Sequence, residues 1–194
     1  MTKQRSTNQR SATAGRDMIG GDQTINNSSV HHHYGQSNSA SVVEQLLSKL
    51  HAEMKDNVSV QPMIDDLRYY YEHEAHDGVI GLEQKLEKGG RAHEISNALE
   101  KKELFVKLLE KWSMYATAQE IFVHLLARAE YEYSNFVLPQ LDESSEIELN
   151  ESIASRIIEP IVDDCGASVF RMNHGTAMGM VYWLAEQCFV RWHK

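Results

Sequence analysis

Apolar residues recur at helical spacing from Ser41 onward, and this pattern restricts the fold more than any other feature of the sequence. Ser41 and Glu44 have the spacing of a capping box, which marks a helix start. The apolar positions of this first helix are Val42, Val43, Leu46, Leu47, Leu50 and Met54. Proline, which interrupts helices, occurs only three times in 194 residues. We therefore predict an all-α, multi-helix globular body over residues 41–194.

The same periodicity predicts further helices along the body. We expect them at residues 59–77, 79–88, 92–138 with a break near 113–117, 149–158 and 175–186, with an extended, docked tail at 188–192. Gly89 and Gly90 end the third helix at the usual position of a C-terminal glycine. Pro160 either kinks the helix before it or starts a new one. Gly175 and Gly179 form a small-xxx-small face, which predicts close packing of the last helix on another backbone.

Residues 1–40 are rich in Ser, Thr, Asn, Gln and Gly, and such a segment cannot bury enough apolar surface to form a core. Within it, residues 15–26 read G-R-D-M-I-G-G-D-Q-T-I-N. This run is not a phosphate-binding P-loop, because Gly21 and Asp22 occupy the positions of Lys and Ser/Thr. Gly20-Gly21 between short apolar pairs predicts a hairpin, or one strand that pairs with copies of itself or with a partner's sheet edge. We therefore predict a short glycine-rich, β-prone N-terminal arm.

The formal net charge of −9 is unevenly distributed along the chain. Residues 1–41 carry four basic and two acidic side chains, which leaves 15 basic and 26 acidic side chains in the rest. A surface this acidic repels a polyphosphate backbone. We therefore predict no direct nucleic-acid binding by the body.

The two cysteines, Cys165 and Cys188, form no C-x-x-C motif, and no signal peptide precedes them. They are typical of free thiols in a reducing cytoplasm. The most apolar run, residues 177–190, is interrupted by Glu186 and is too short to span a bilayer. The sequence therefore predicts a cytoplasmic protein with no membrane association.

Histidines are the candidates for metal ligands. His73 and His76 occur in H-E-A-H, one residue short of the H-E-x-x-H spacing that places two imidazoles on one helix face. Three more histidines, His31 to His33, lie in the arm, where unstructured donors make no selective site. We predict no metal and no cofactor.

No motif of a catalytic nucleophile, base or P-loop occurs in the sequence, so we predict a protein that is not an enzyme. Two alternatives stay open. The first is a metal-dependent hydrolase that uses His73, His76 and Asp77. The second is a nucleic-acid-binding regulator that works through the arm.

Four segments in one order carry a resemblance to a known family. They read V-I-G-L-E-Q-K-L-E-K-G-G-R at 79–91, I-I-E-P-I at 157–161, G-M-V-Y-W-L at 179–184 and C-F-V-R-W at 188–192. Together they resemble a helical C-terminal domain of ABC-ATPase three-component systems, over roughly residues 60–193. These are prokaryotic conflict systems directed against phage and other invading DNA. The G-R-D-x-x-G-G-D run of the arm is similar to short segments that precede domains in many such proteins.

The resemblance implies an ABC-type ATPase and a small middle component as partners of this chain. Related third components often carry a nuclease or protease before the domain, whereas this sequence has only the arm there. The resemblance therefore implies an adaptor or sensor without its own effector, which acts by protein–protein assembly. We expect self-association through the arm. The candidate partner-binding residues are Asp17, Met18, Ile19, Gly20, Gly21, Asp22, Ile25, Glu83, Lys85 and Arg91.

Overall fold

The computed structural model describes residues 41–56, 62–72 and 78–193. Within these ranges the chain forms helices joined by turns and no β-strand, which confirms the predicted all-α body. The α-helices are α1 (Val42–Lys55), α2 (Asp65–Tyr69), α3 (Gly81–Lys88), α4 (Ile95–Trp112), α5 (Ala116–Glu132), α6 (Glu146–Ile153), α7 (Glu159–Cys165) and α8 (His174–Glu186). The arm at residues 1–40 lies outside the described residues, so its β-prone character stays a prediction.

Helix α1 begins at the predicted N-cap and packs against α5. Ser41 Oγ accepts a hydrogen bond from the Glu44 N–H at 3.1 Å. Near the other end of α1, the Glu53 carboxylate accepts hydrogen bonds from the Thr117 N–H and hydroxyl, at 3.2 and 2.6 Å, in the first turn of α5. A carboxylate at this position satisfies a free backbone N–H and complements the positive end of the helix dipole.

The predicted break in the long helical stretch is confirmed, because α4 ends at Trp112 and α5 begins at Ala116. The buried side chain of Gln119 holds the turn in place. Its Nε2 donates to the Ser113 carbonyl at 2.7 Å, and its Oε1 accepts from the Ile64 N–H at 2.7 Å. One amide group thus joins the α4–α5 turn to the start of α2.

The second predicted helix is shorter than expected. The sequence predicts it over 59–77, whereas within the described residues α2 begins at Asp65 and ends at Tyr69. The reason is the extended backbone of Ile64, at φ −68° and ψ 150°, which delays the first helical turn until Asp65. By contrast, the predicted stop at Gly89 is confirmed, since α3 ends at Lys88.

Two π-helical turns, at 133–137 and 154–158, were not predicted by the apolar pattern. The helix predicted at 149–158 begins instead at Glu146, widens into the second π-helical turn and continues as α7. Pro160 lies in the first turn of α7. Because proline lacks an N–H and its ring clashes with the carbonyl four residues earlier, the wider turn lets the chain continue past it.

Helices α4 and α8 pack with their backbones in close approach. A Cβ atom added at Gly179 would overlap the Lys101 carbonyl oxygen, so only glycine permits this geometry. The predicted tight packing at Gly179 is therefore confirmed. A Cβ at Gly175 would meet only the Asn173 side chain, at 3.2 Å, so the second glycine makes no comparable helix contact.

The C-terminal residues dock on the helices, as predicted. Trp192 is buried between Tyr133 and Tyr182, with ring centroids 6.2 and 5.7 Å away. The Tyr133 hydroxyl donates to the Arg191 carbonyl at 2.8 Å. These contacts fix the last described residues on the helical body.

Candidate functional site

The first segment of the resemblance packs against the end of α8, although about 100 residues separate them in sequence. The Lys85 Nζ donates to the Ala185 carbonyl at 2.5 Å. The Leu82 N–H, in the first turn of α3, donates to Glu186 Oε2 at 3.0 Å. The same carboxylate forms a 3.2 Å ion pair with Lys102 of α4. Charged groups therefore join α3 to both α4 and α8.

Two of the three charged candidates for partner binding on or near α3 are buried. Lys85 is 2% exposed and Arg91 is 4% exposed, whereas Glu83 is exposed. Lys85 lies on the face of α3 that also buries Leu82 and Leu86, which explains its position. Lys85 and Arg91 therefore contact groups of this chain, and their contact with a partner stays a prediction.

Arg91 is the centre of a buried polar network. Its Nη2 donates to Glu94 Oε1 and to Asn150 Oδ1, each at 2.6 Å. Its guanidinium carbon lies 5.6 Å from the centre of the Trp192 ring, within reach of a cation–π interaction. The second oxygen of Glu94 accepts a 3.2 Å hydrogen bond from the Tyr182 hydroxyl. Burial raises the pKa of Tyr182, and the Glu94 carboxylate raises it further, so the hydroxyl stays a donor.

Part of the hydrogen-bonding capacity of Arg91 is unused. Its Nε and Nη1 atoms are buried and have no hydrogen-bond partner within the described part of the chain. Such atoms are costly, because they lose their water contacts and gain no others. The three N–H donors on these two atoms are therefore unsatisfied within the described residues.

Arg91 lines two cavities. The larger one has a volume of about 350 Å³ and lies between the start of α4, α6 and α8. Its lining residues are Arg91, His93, Glu94, Asn97, Lys101, Asn150, Ile153, Ala154, Ile158, Met178 and Tyr182. The smaller cavity, of about 140 Å³, extends from Arg91 along Gly89 and Trp192. The larger volume is at the lower end of the range for small-molecule sites.

A metal ion is a poor fit for the same region. His93, Glu94 and Glu146 place ligand atoms within 4.8 Å of one another. However, both oxygens of Glu94 already accept hydrogen bonds, and one of them comes from the guanidinium of Arg91. That fixed positive charge repels a cation at Glu94. The donor set therefore does not favour a metal.

Several residues singled out by the sequence analysis lie outside the described ranges. They are the arm residues Asp17 to Ile25 and the histidines His73 and His76, with Asp77. The hydrolase alternative and the arm's partner contacts therefore stay predictions. In the described part of the chain, no helix combines the length and apolar character needed to cross a bilayer.

The partners of Arg91 were not found from the sequence. Asn150 reaches Arg91 from 59 residues away, and Tyr182 reaches Glu94 from 88 residues away, so no local spacing points to them. The one local signal is the pair of Arg91 and Glu94, whose three-residue separation places them within one helical turn.

The fold and this site define an all-α domain in which widely separated segments meet around a buried arginine. A family model of C-terminal domain 9 of the ABC-three component (ABC-3C) systems matches residues 81–192, which is more than half of the chain. The chain belongs to this family and is a component of an ABC-3C system. No curated protein and no solved structure matches the chain.

Proposed function

We propose that this protein is a non-enzymatic adaptor or sensor that works by assembling with the ABC-type ATPase and a small middle component of its system. The match of residues 81–192 to a C-terminal domain of ABC-3C systems carries this proposal. We place the assembly in the cytoplasm, in the response that such systems direct against phage and other invading DNA.

The surface around Glu83 supports an assembly role. Glu83 is exposed on α3 near Ile80, a large apolar residue that is 67% exposed. Both residues line an open groove with Glu87, Lys102 and Glu186. Three carboxylates and one lysine give this groove a net negative charge. It fits a partner surface that combines basic side chains with a small apolar contact.

The test is co-expression of this chain with the ATPase and the middle component, followed by native mass spectrometry. We expect one complex that contains all three chains. Glu83→Lys should weaken it, because replacing one of the three carboxylates by an ammonium group cancels the net negative charge of the groove. Glu100→Lys, which reverses an exposed charge on α4, is the matched control and should leave the complex intact.

Two results would contradict the proposal. One is the absence of any complex with either partner chain. The other is hydrolytic activity of the isolated chain that is lost in a His73→Ala, His76→Ala variant, because the alternative of a metal-dependent hydrolase requires both imidazoles.

A further inference from the structure

Residues 188–193 follow α8 without helical structure and lie across the helical body as a strap. Apolar side chains hold the strap in place. Val190 and Trp192 are buried. Phe189 packs on Tyr70, with the ring centroids 4.9 Å apart. The burial of these side chains is therefore the main gain in free energy when the strap docks.

The strap begins with a strained backbone. The φ angle of Cys188 is +68°, in the left-handed region that a residue with a Cβ atom rarely adopts. Glycine is the usual residue at such a helix end. The N–H groups of Cys188 and Phe189 donate to the carbonyls of Ala185 and Leu184, at 3.1 and 2.9 Å, and so hold this conformation. The strain is relieved when the chain beyond α8 is free to change direction.

The contact between the strap and Arg91 leaves polar atoms unsatisfied. Trp192 Nε1 and the Nε and Nη1 atoms of Arg91 are buried and have no hydrogen-bond partner among the residues that the structure describes. Each such atom costs free energy, because it loses water and gains no acceptor. Trp192 Nε1 regains water when the strap leaves the body. The docked strap therefore combines a favourable apolar contact with costs of the same order.

The docked strap also requires a close approach to Gly89. A Cβ atom added there would lie 2.6 Å from the Trp192 carbonyl oxygen and 2.7 Å from the Trp192 Cβ. The φ angle of Gly89 is −80°, so alanine is compatible with the backbone at this position. A single methyl group at Gly89 therefore competes with Trp192 for space and leaves the path of the chain unstrained.

We propose that the strap opens about Cys188 as a unit while the helical body stays folded. Opening uncovers the side of Arg91 that faces the Trp192 ring, whose centre is 5.6 Å from the guanidinium carbon in the docked state. The strap thus controls access to one of the residues that the sequence predicts for partner binding. The inference goes beyond the proposed function, because opening is a property of the isolated chain and needs neither the ATPase nor the middle component.

The experiment is native-state hydrogen exchange of the full-length chain, followed by NMR. We expect the backbone N–H of Phe189 to have a protection factor at least roughly tenfold lower than those in the middle of α4, because local opening precedes global unfolding. The indole N–H of Trp192 and the Nε–H of Arg91 should be protected to the same extent as Phe189. Low urea concentrations should hardly change these values, since the opening exposes little surface.

Two substitutions should shift the opening in opposite directions. Gly89→Ala should lower the protection of the strap at least roughly tenfold, because the new methyl group overlaps Trp192. Cys188→Gly should raise it roughly fivefold, since glycine adopts a positive φ without strain. Cys188→Ala keeps a Cβ atom and is the matched control, which should exchange like the wild type. Arg171→Gly relieves a φ of +50° outside the strap and should also leave the strap unchanged.

Three outcomes would overturn the inference. The first is equal protection of the strap and of α4, which would mean that the strap leaves only when the whole body unfolds. The second is slow exchange of the Arg91 Nε–H while Phe189 exchanges fast, because the opening would then leave Arg91 covered. The third is equal exchange in Cys188→Gly and Cys188→Ala. This last comparison decides the question even where Gly89→Ala fails to melt cooperatively.

Discussion

At the residue scale, the two cysteines have different surroundings, although both are free thiols. Burial raises the pKa of the Cys165 thiol to about 12, with a further contribution from the neighbouring Asp164 carboxylate. Cys188 is partly exposed in the turn after α8. Because the thiolate is the reactive form, Cys165 should stay inert until the pH approaches its raised pKa or the chain unfolds.

We therefore predict that iodoacetamide at mildly alkaline pH alkylates Cys188 and leaves Cys165 unmodified in the folded protein. Peptide mass spectrometry over a time course measures both sites at once. A Cys188→Ser variant should show almost no native alkylation, and full alkylation of Cys165 in denaturant. Similar rates of alkylation of Cys165 and Cys188 in the folded protein would show that Cys165 is exposed.

Lys85 shows how far residue-level prediction from the sequence extends. Its burial was recoverable, because Lys85 is three residues after Leu82 and one before Leu86, on the apolar face of α3. Its hydrogen-bond partner, the Ala185 carbonyl, could not be predicted, because the two residues are 100 positions apart and local residue spacing does not indicate such a contact. The polar network of Arg91 was missed for the same reason.

At the element scale, the contact between α4 and α8 depends on the missing side chain of Gly179. We predict that Gly179→Ala lowers the free energy of unfolding by about 3 kcal/mol or more, because the new Cβ would overlap the Lys101 carbonyl and force the helices apart. Gly175→Ala in the same helix should have a small effect, since only the Asn173 side chain is nearby. Urea denaturation of both variants measures the difference, and equal stability would contradict this packing.

The start of α6 gives a pH-dependent prediction. The Ser145 N–H and hydroxyl donate to Glu148 at 2.7 and 2.9 Å, and Ser145 Oγ accepts from the Glu148 N–H. The hydrogen bonds to its carboxylate lower the pKa of Glu148 in the folded state. This stabilisation is therefore present above the unfolded-state pKa of Glu148, and it is lost as the pH falls through the lower folded-state value.

Removing the N-cap of α6 should lower the free energy of unfolding by an amount that depends on pH. Ser145→Ala removes the N-cap, and we expect a loss of about 1 kcal/mol of stability at neutral pH. The difference in free energy of unfolding between this variant and the wild type should become smaller at acidic pH, because Glu148 is then protonated. Ser152→Ala, within the same helix, is the control and should show no such pH dependence. Urea melts from acidic to neutral pH measure both, and a constant difference would contradict the role of Glu148.

Helix starts and stops were predictable where a local group determines them, as at the Ser41 cap, the Gly89 stop and the turn after Trp112. The two π-helical turns were not predictable, because an apolar face repeats in nearly the same way through one wider turn. The sequence therefore predicted the order of elements well, and their local geometry less well.

At the scale of the whole molecule, the body and the arm should behave independently. The described buried core is formed by residues 43–192, and α1 has its own N-cap at Ser41. A chain of residues 41–194 should therefore show helical circular dichroism and one cooperative thermal transition. Loss of that transition would show that the arm is part of the core.

The arm is predicted to drive assembly. Gly20 and Gly21 between short apolar pairs favour a strand or hairpin, and isolated strands need a partner for their backbone hydrogen bonds. Each bond contributes only about 1 kcal/mol net, so several strands must engage together. We expect full-length protein to form larger species than residues 41–194 in native mass spectrometry, both alone and with the ATPase.

A substitution separates strand pairing from a mere effect of length. Ile19→Pro removes one backbone donor and disfavours a paired strand, so it should reduce assembly toward the level of the truncated chain. Ser11→Pro, in the arm but before residues 15–26, is the matched control and should assemble like the wild type. Equal assembly by all of these chains in every mixture would mean that residues 1–40 have no part in it, and the role proposed for Asp17 to Ile25 would be wrong.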